Sequence, residues 1–291
     1  MRSVWTRGLV LAAAALLAHA VFSAFVAAVM YWGYPHRIYD MRRWHDSRNY
    51  GELINAFLAQ RRSDLVFAGS SFTFGYPWQE SVIFSRIVGR GTNVSVIGLS
   101  LAGIHNLILC NMEDKHPRQL VIEIPVIASV RYPDSRFQCE PSATSSYYSF
   151  ALRHPVSTGW FPFLWDNEAY PKPDEPIKVF AVPDDYFAST FDRDNFAYQI
   201  IHTLEKARTV AETVYVVPSP VYLPGVAQVG HDAKAVRDQL DFAVATCRKV
   251  PGIVCLDPSK FYDEPAYFTN MTHLNQRGHR AMGEWLATIL R

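Results

Sequence analysis

From Asp64 to the C-terminus the chain alternates short apolar runs with segments of helical period, and this alternation restricts it to one class of fold. The runs are Asp64–Gly69 (DLVFAG), Asn93–Gly98 (NVSVIG), Gln119–Val126 (QLVIEIPV), Thr213–Pro218 (TVYVVP) and Gly252–Asp257 (GIVCLD). They are nearly continuous in apolar residues, as strands buried on both faces are. Between them Trp78–Val88, Ala102–Lys115, Asn195–Glu212 and Gly230–Lys249 place apolar residues at helical spacing, and Leu274–Leu290 closes the chain as a helix. The pattern predicts an α/β chain, a three-layer α/β/α sandwich around a mostly parallel five-stranded sheet of flavodoxin-like type. Ligands of such sheets sit beyond the carboxyl ends of the strands. Function is therefore expected just after Gly69, Gly98 and Val126, and in the loop before the last helix.

A different signal precedes the sheet. Gly8–Trp32 is apolar apart from His19 and Ser23. As a helix it rises about 37 Å, enough to cross a hydrocarbon core of about 30 Å. Tyr31, Trp32 and Tyr34 stand where an interfacial aromatic belt would. Residues 1–34 are accordingly read as a membrane anchor in contact with lipid, and residues 35–291 as a globular domain. A cleaved signal peptide is the alternative, with Ala18-His19-Ala20 as the small-x-small site, although the apolar run continues well beyond it. A buried soluble helix is a further alternative. Arg2 and Arg7 favour a cytoplasmic N-terminus, whereas Arg37, Arg42, Arg43 and Arg48 pull the other way.

Cysteine content bears on the compartment. Cys110, Cys139, Cys247 and Cys255 form no CxxC and no cysteine–histidine spacing of a zinc site, so no metal and no other cofactor is expected. An even count suits two disulfides in an oxidising compartment, with the shorter loops Cys110–Cys139 and Cys247–Cys255 preferred. Four buried thiols are the alternative. The domain is placed in the periplasm, tethered to the inner (cytoplasmic) membrane. A net charge of +1, from 28 Lys+Arg against 27 Asp+Glu, argues against a nucleic-acid partner.

The stretch of about residues 131–192 is too long for an ordinary connection and is rich in Pro and aromatic residues, among them Tyr147, Phe150, Trp160 and Trp165. It reads as a lid packed on its own aromatics, as a surface on which sugar rings lie, or both. Trp160 and Trp165 are candidate substrate contacts, as are the hydroxyls of Ser70 and Ser100.

Two residues could carry chemistry. The first strand ends Gly69-Ser70-Ser71, a turn that can project a serine above the sheet beside backbone N–H groups. Gly-Ser-Ser is equally ordinary turn and cap vocabulary. Near the C-terminus, His273 in Asn270-Met271-Thr272-His273 also faces the carboxyl edge, where an imidazole could take the serine proton. His279 falls inside the last helix and reads as a packing or capping residue. Asp257, at a strand end, reads as a turn residue or a second carboxylate for the histidine. Glu123 sits in an apolar strand, and a buried carboxylate needs a partner. Arg131 or another base is expected to pair with it, and holding a substrate hydroxyl is the alternative.

Taken in order, the Gly69-Ser70-Ser71 turn, Ile97-Gly98-Leu99-Ser100 and Asn270-x-x-His273 with the following Leu274-Asn275-x-x-Gly278-His279 resemble blocks of the SGNH (GDSL-like) hydrolase superfamily. Serine in place of the aspartate of Gly-Asp-Ser, together with an N-terminal anchor, looks like its membrane-anchored acyl-transfer branch, which includes the D-alanyl-lipoteichoic-acid transfer protein and the alginate O-acetylation proteins. The resemblance covers roughly Leu65 to Leu290. It implies Ser71 as nucleophile, His273 as base and the N–H groups of Ser71 and Gly98 as oxyanion donors. Two positions depart from the pattern. Strand three ends Glu123-Ile124-Pro125, without the asparagine that donates to the oxyanion, and Asn270 replaces the aspartate that orients the histidine. Asn270 could orient the ring without charge, or simply cap the approach to the last helix. The resemblance implies an extracytoplasmic O-acyltransferase, acetyl being the expected group, that modifies a polysaccharide acceptor and takes its acyl group from a membrane-bound O-acyltransferase partner. A carbohydrate esterase and a catalytically weak glycan-binding scaffold are the alternatives.

Overall fold

Five strands carry the domain: β1 (Leu65–Ala68), β2 (Thr92–Asn93), β3 (Gln119–Ile124), β4 (Thr213–Pro218) and β5 (Ile253–Cys255). The structure, a computed structural model, describes residues 2–33, 36, 50–61, 63–78, 80–131, 136–139, 146–153, 182–183 and 186–290. The strand order is β2-β1-β3-β4-β5, and every pairing is parallel. The expected α/β sandwich is the fold observed. Its alternation is visible within β1: Val66 and Ala68 enter one core, Leu65 and Phe67 the other. A two-residue period along a strand buried on both sides produces this division.

The helices follow in chain order: α1 (Arg2–Gly33), α2 (Tyr50–Gln60), α3 (Ser71–Phe74), α4 (Phe84–Ile87), α5 (Leu101–Gly103), α6 (Val126–Arg131), α7 (Tyr147–Arg153), α8 (Arg193–Val210), α9 (Leu223–Gln228), α10 (Ala233–Cys247) and α11 (Gln276–Ile289). The first core is covered by α2 through Leu53, Ile54 and Phe57, by α8 through Ile200 and Leu204, and by α10 through Val236 and Leu240. The second is covered by Phe84 of α4 and by Met282 and Leu286 of α11. After β2 the chain returns to β3 on the far side of β1, and this reversal opens a crevice at the carboxyl ends of β1 and β3.

Several elements differ from expectation for local reasons. Trp78–Val88 is not one helix but a 3-10 turn at Glu80–Val82 followed by α4. Ala102–Lys115 splits into α5, a π turn at Ile104–Ile108 and a 3-10 turn at Leu109–Asn111. Asn106 in the π turn binds Arg136 and Gln138, and Cys110 is bridged to Cys139, so this segment follows an incoming chain rather than its own period. Beyond Asn93 the second strand leaves ideal geometry because the Asn93 side chain accepts from Ser95 N–H, although Val94 and Val96 still donate to Phe67 and Gly69. Both expected disulfides are present, with Cα–Cα distances of 5.4 Å for Cys110–Cys139 and 6.0 Å for Cys247–Cys255. Within the 131–192 stretch, α7 is a helix whose Tyr147 and Phe150 are buried in the first core, whereas Trp160 and Trp165 lie outside the described residues.

Helix α1 is long and apolar enough over Trp5–Gly33 to cross a membrane, a property that a signal sequence shares. At the other end, α11 is seated by a glycine. A Cβ on Gly278 would lie 2.1 Å from the carbonyl oxygen of Tyr267, which is backbone and has no freedom to move aside. Gly278→Ala is expected to destabilise the domain by about 1–3 kcal/mol through overpacking, read as a lowered unfolding midpoint. An unchanged midpoint would contradict this packing.

Candidate active site

The turn after β1 is built on a buried carboxylate. Parallel pairing sets Ala68 beside Ile122, which brings Gly69 alongside Glu123. A Cβ at Gly69 would meet Glu123 Oε2 at 2.5 Å and Thr73 Oγ1 at 2.6 Å, so only glycine leaves room for this acid. Glu123 accepts from Ser70 N–H at 2.7 Å, from Thr73 N–H at 3.1 Å and from the Ser70 hydroxyl. These bonds tie both ends of the turn that opens α3, with Ser71 at its crest. The expected pairing with Arg131 is not found; the partners of Glu123 are donors of the turn beside it. Burial pushes the Glu123 carboxyl above the ordinary carboxylate range, and the bonds from Ser70 and Thr73 hold it back in part.

The histidine comes from a closed loop before α11. Thr269 N–H donates to His273 C=O at 2.9 Å and Asn275 N–H to Tyr267 C=O at 2.8 Å, an antiparallel closure continued by the bridge of Phe268 with Leu274. Asn275 caps α11 through Gly278 N–H at 2.9 Å, and Asn270 caps the turn that approaches it through Thr272 N–H and His273 N–H. Trp78, almost fully buried, donates its indole N–H to Leu274 C=O at 2.7 Å and so ties the histidine loop to the chain beyond α3. A lone tryptophan among turn residues was the available signal for this tie.

Asn270 orients the ring of His273. Its side-chain oxygen faces two backbone donors, Thr272 N–H and His273 N–H, both at 2.9 Å. Only the oxygen of the carboxamide can accept there, which settles its orientation. That oxygen lies 3.1 Å from His273 Nδ1, and the Thr272 hydroxyl lies 3.2 Å from the same nitrogen. With the ring proton on Nδ1, donated to the Asn270 oxygen, Nε2 is the lone-pair acceptor, and Ser71 Oγ lies 2.9 Å from it. The Tyr76 ring packs edge-on to the imidazole at 5.4 Å. Serine, histidine and asparagine thus form one hydrogen-bonded line across 202 residues of sequence.

The line opens into a cavity of about 210 Å³ whose lining includes Ser71, Gly98, Arg131, Tyr186, Ser219 and His273. Gly98 has φ of 83°, a conformation that favours glycine, and is exposed there. The two expected oxyanion donors therefore border the same space. Among the described residues, the lining contains no asparagine to act as a third donor. Ser70 lines the cavity while its hydroxyl donates to Glu123, whereas the Ser100 hydroxyl accepts from Gly103 N–H as a helix cap outside the cavity lining. Asp257 accepts from Ser259 N–H in a turn, and His279 is buried, accepting from Phe84 N–H and stacking on the Phe84 ring.

No protein-family model matches the chain, and no curated protein matches it. Solved structures do resemble it. A lipolytic protein of the G-D-S-L family from Desulfitobacterium hafniense DCB-2 has 13% identity over 78% of this chain and 99% of its own, with a TM-score of 0.44. A member of the same family from Veillonella parvula DSM 2008 has 14% identity over 77% and 96%, with a TM-score of 0.42. The acetylxylan esterase Axe2 from Geobacillus stearothermophilus, as a catalytic mutant, has 10% identity over 78% and 92%, with a TM-score of 0.41.

Glu123 generates a pH prediction with a definite sign. A carboxyl whose folded pKa is raised above the unfolded value of about 4.3 stabilises the fold below that value, and the contribution is lost as pH rises through the folded pKa. Glu123→Gln keeps an acceptor for the two N–H groups and offers a donor to Ser70, so it is expected to fold and to gain stability over wild type as pH rises. Glu123→Ala orphans three donors and should cost about 1–3 kcal/mol at any pH. Denaturant unfolding of all three proteins across the acid-to-neutral range is the measurement, and parallel pH curves for wild type and Glu123→Gln would refute the assignment.

Proposed function

We propose that the protein is an extracytoplasmic O-acyltransferase that carries a short acyl group, acetyl in the simplest case, on Ser71 and passes it to a hydroxyl of a cell-surface or exported polysaccharide. The observation that carries this reading is the 2.9 Å contact between Ser71 Oγ and Nε2 of His273. Attack of the Ser71 oxygen on an acyl carbonyl forms the new C–O bond while its proton passes to Nε2. The oxyanion forms against the N–H groups of Ser71 and Gly98, and the proton on Nε2 leaves with the departing group. In the second half, Nε2 takes the proton of the acceptor hydroxyl as its oxygen bonds to the acyl carbon; the ester bond to Ser71 then breaks and Nε2 returns the proton to Ser71 Oγ.

The neutral Asn270 supports transfer over hydrolysis. It orients the ring through its oxygen and adds no charge of its own, so it stabilises the imidazolium less than the aspartate of a serine triad would. A weakened base leaves acyl-Ser71 slow to react with water. A sugar hydroxyl held in the cavity regains rate through its effective concentration, which water at large does not share. The anchor reading of α1 and the two disulfides support a domain tethered at the inner membrane on its periplasmic side, where a polytopic membrane O-acyltransferase would supply the acyl group. Hydrolysis through the same acyl-serine, as in a carbohydrate esterase, is the second reading, favoured by the openness of the rim that Gly98 borders.

Full-length protein treated with an activated acetyl ester is expected to show one acetyl on Ser71 by intact-mass and peptide analysis. Ser71→Ala should abolish the adduct and His273→Ala should slow its formation about 100-fold or more. Acetylation that survives Ser71→Ala sinks the proposal. Asn270→Asp sets a carboxylate against Nδ1 and is expected to raise the rate of acetyl release to water about tenfold or more. Addition of an oligosaccharide acceptor separates the two readings: acetyl recovered on the sugar supports transfer, and free acetate at an unchanged rate supports the esterase.

A further inference from the structure

Helix α1 does not stand clear of the domain. Trp5 to Ala18 are exposed throughout, but from His19 onward one side is covered. Ser23, Val26 and Met30 are buried on the side that meets α7. Positions 19, 23, 26 and 30 advance by fours and threes, the seam spacing of two packed helices. Both polar residues that interrupt the apolar run lie on this seam. His19 Nε2 is 3.2 Å from the Leu152 carbonyl oxygen in the last turn of α7, and Ser23 has no exposure at all. Polar side chains within a membrane span face protein and bind backbone groups rather than lipid.

Length then decides where the bilayer lies. If hydrocarbon begins beyond Arg7, a crossing of about 30 Å takes about 20 residues of helix. The uncovered stretch from Gly8 to Ala18 supplies only about 16 Å. The remainder must come from the stretch that α7 covers.

We infer that α7 lies within the bilayer leaflet on the domain's side, packed on α1, so that the domain is seated in the membrane surface rather than held away from it on a tether. The outward face of α7 fits a lipid partner. Tyr148 and Leu152, four residues apart and so on one side of the helix, are 42% and 39% exposed. The opposite side, Tyr147, Phe150 and Ala151, is buried in the domain core. Tyr147 meets Phe57 at the domain end, whereas Leu152 reaches the level of His19. Tyr148 thus stands nearer the headgroups, as interfacial tyrosines do, and Leu152 deeper among acyl chains. The charges at that level, Arg153 and Glu52, are paired at 3.2 Å, and the arginine stem is long enough to carry its head toward the interface. This inference rests on α1 being retained as the span and is independent of the chemistry at Ser71.

Depth-dependent quenching tests it. All four cysteines are in disulfides, so a single introduced cysteine takes a fluorescent label uniquely. Full-length protein in vesicles containing acyl-chain-brominated phosphatidylcholine would carry the label at Leu11→Cys on α1, Tyr148→Cys or Leu152→Cys on α7, or Tyr198→Cys on the exposed side of α8. Quenching at Leu152→Cys is expected to reach about half or more of that at Leu11→Cys, with a smaller effect at Tyr148→Cys and none at Tyr198→Cys. Quenching at Leu11→Cys with Leu152→Cys as silent as Tyr198→Cys overturns the inference while leaving the anchor in place. Silence at Leu11→Cys overturns the anchor reading and the inference with it.

Discussion

The site depends on a carboxyl group buried beneath a turn. Glu123 on β3 accepts from both ends of the segment that opens α3, and the absent side chain of Gly69 makes the space for it. A serine on a turn between strand and helix would otherwise sample several orientations, each with its own cost in backbone entropy. The carboxyl replaces that freedom with three directed bonds, and it does so in a place where an unsatisfied acid could not persist. Ser71 therefore meets His273 because a residue of the neighbouring strand holds it there, not because its local sequence prefers that geometry.

The histidine is positioned by a comparable device of opposite electrostatic character. Asn270 has one acceptor oxygen and spends it on two backbone N–H groups and on Nδ1 of the ring. Asn270 thereby orients the ring as an uncharged group.

Much of the fold was legible because it is local. Strands buried on both faces must be apolar at successive positions, and the five runs observed as β1 to β5 satisfy this within a few residues each. Placing Ser71 and His273 at one rim followed from that pattern, since parallel strands deliver all their carboxyl ends to one edge. What failed was also physical. Ala102–Lys115 has a helical period yet breaks where Cys110 and Asn106 accept contacts from a segment some thirty residues away. Glu123 drew an expectation of a basic partner because charge complementarity is the simplest satisfaction of a buried acid; backbone N–H groups of an adjacent turn serve as well and leave no compositional trace.

The sequence by itself determined the layer order, the apolar N-terminal helix and the rim at which chemistry could occur; the cysteine pairs were a preference that the structure decided. Each is a consequence of periodicity, spacing or hydropathy, properties that a few consecutive residues express on their own. Only the tertiary structure decided that Glu123 lies under the serine turn, that the oxygen rather than the nitrogen of Asn270 faces the imidazole, and that His19 and Ser23 turn toward α7. Asn270 meets His273 through a turn only three residues long, whereas the other pairings bring groups face to face across 50 to 133 positions of chain. Such pairings are set by strand order and helix packing, and no local pattern contains them.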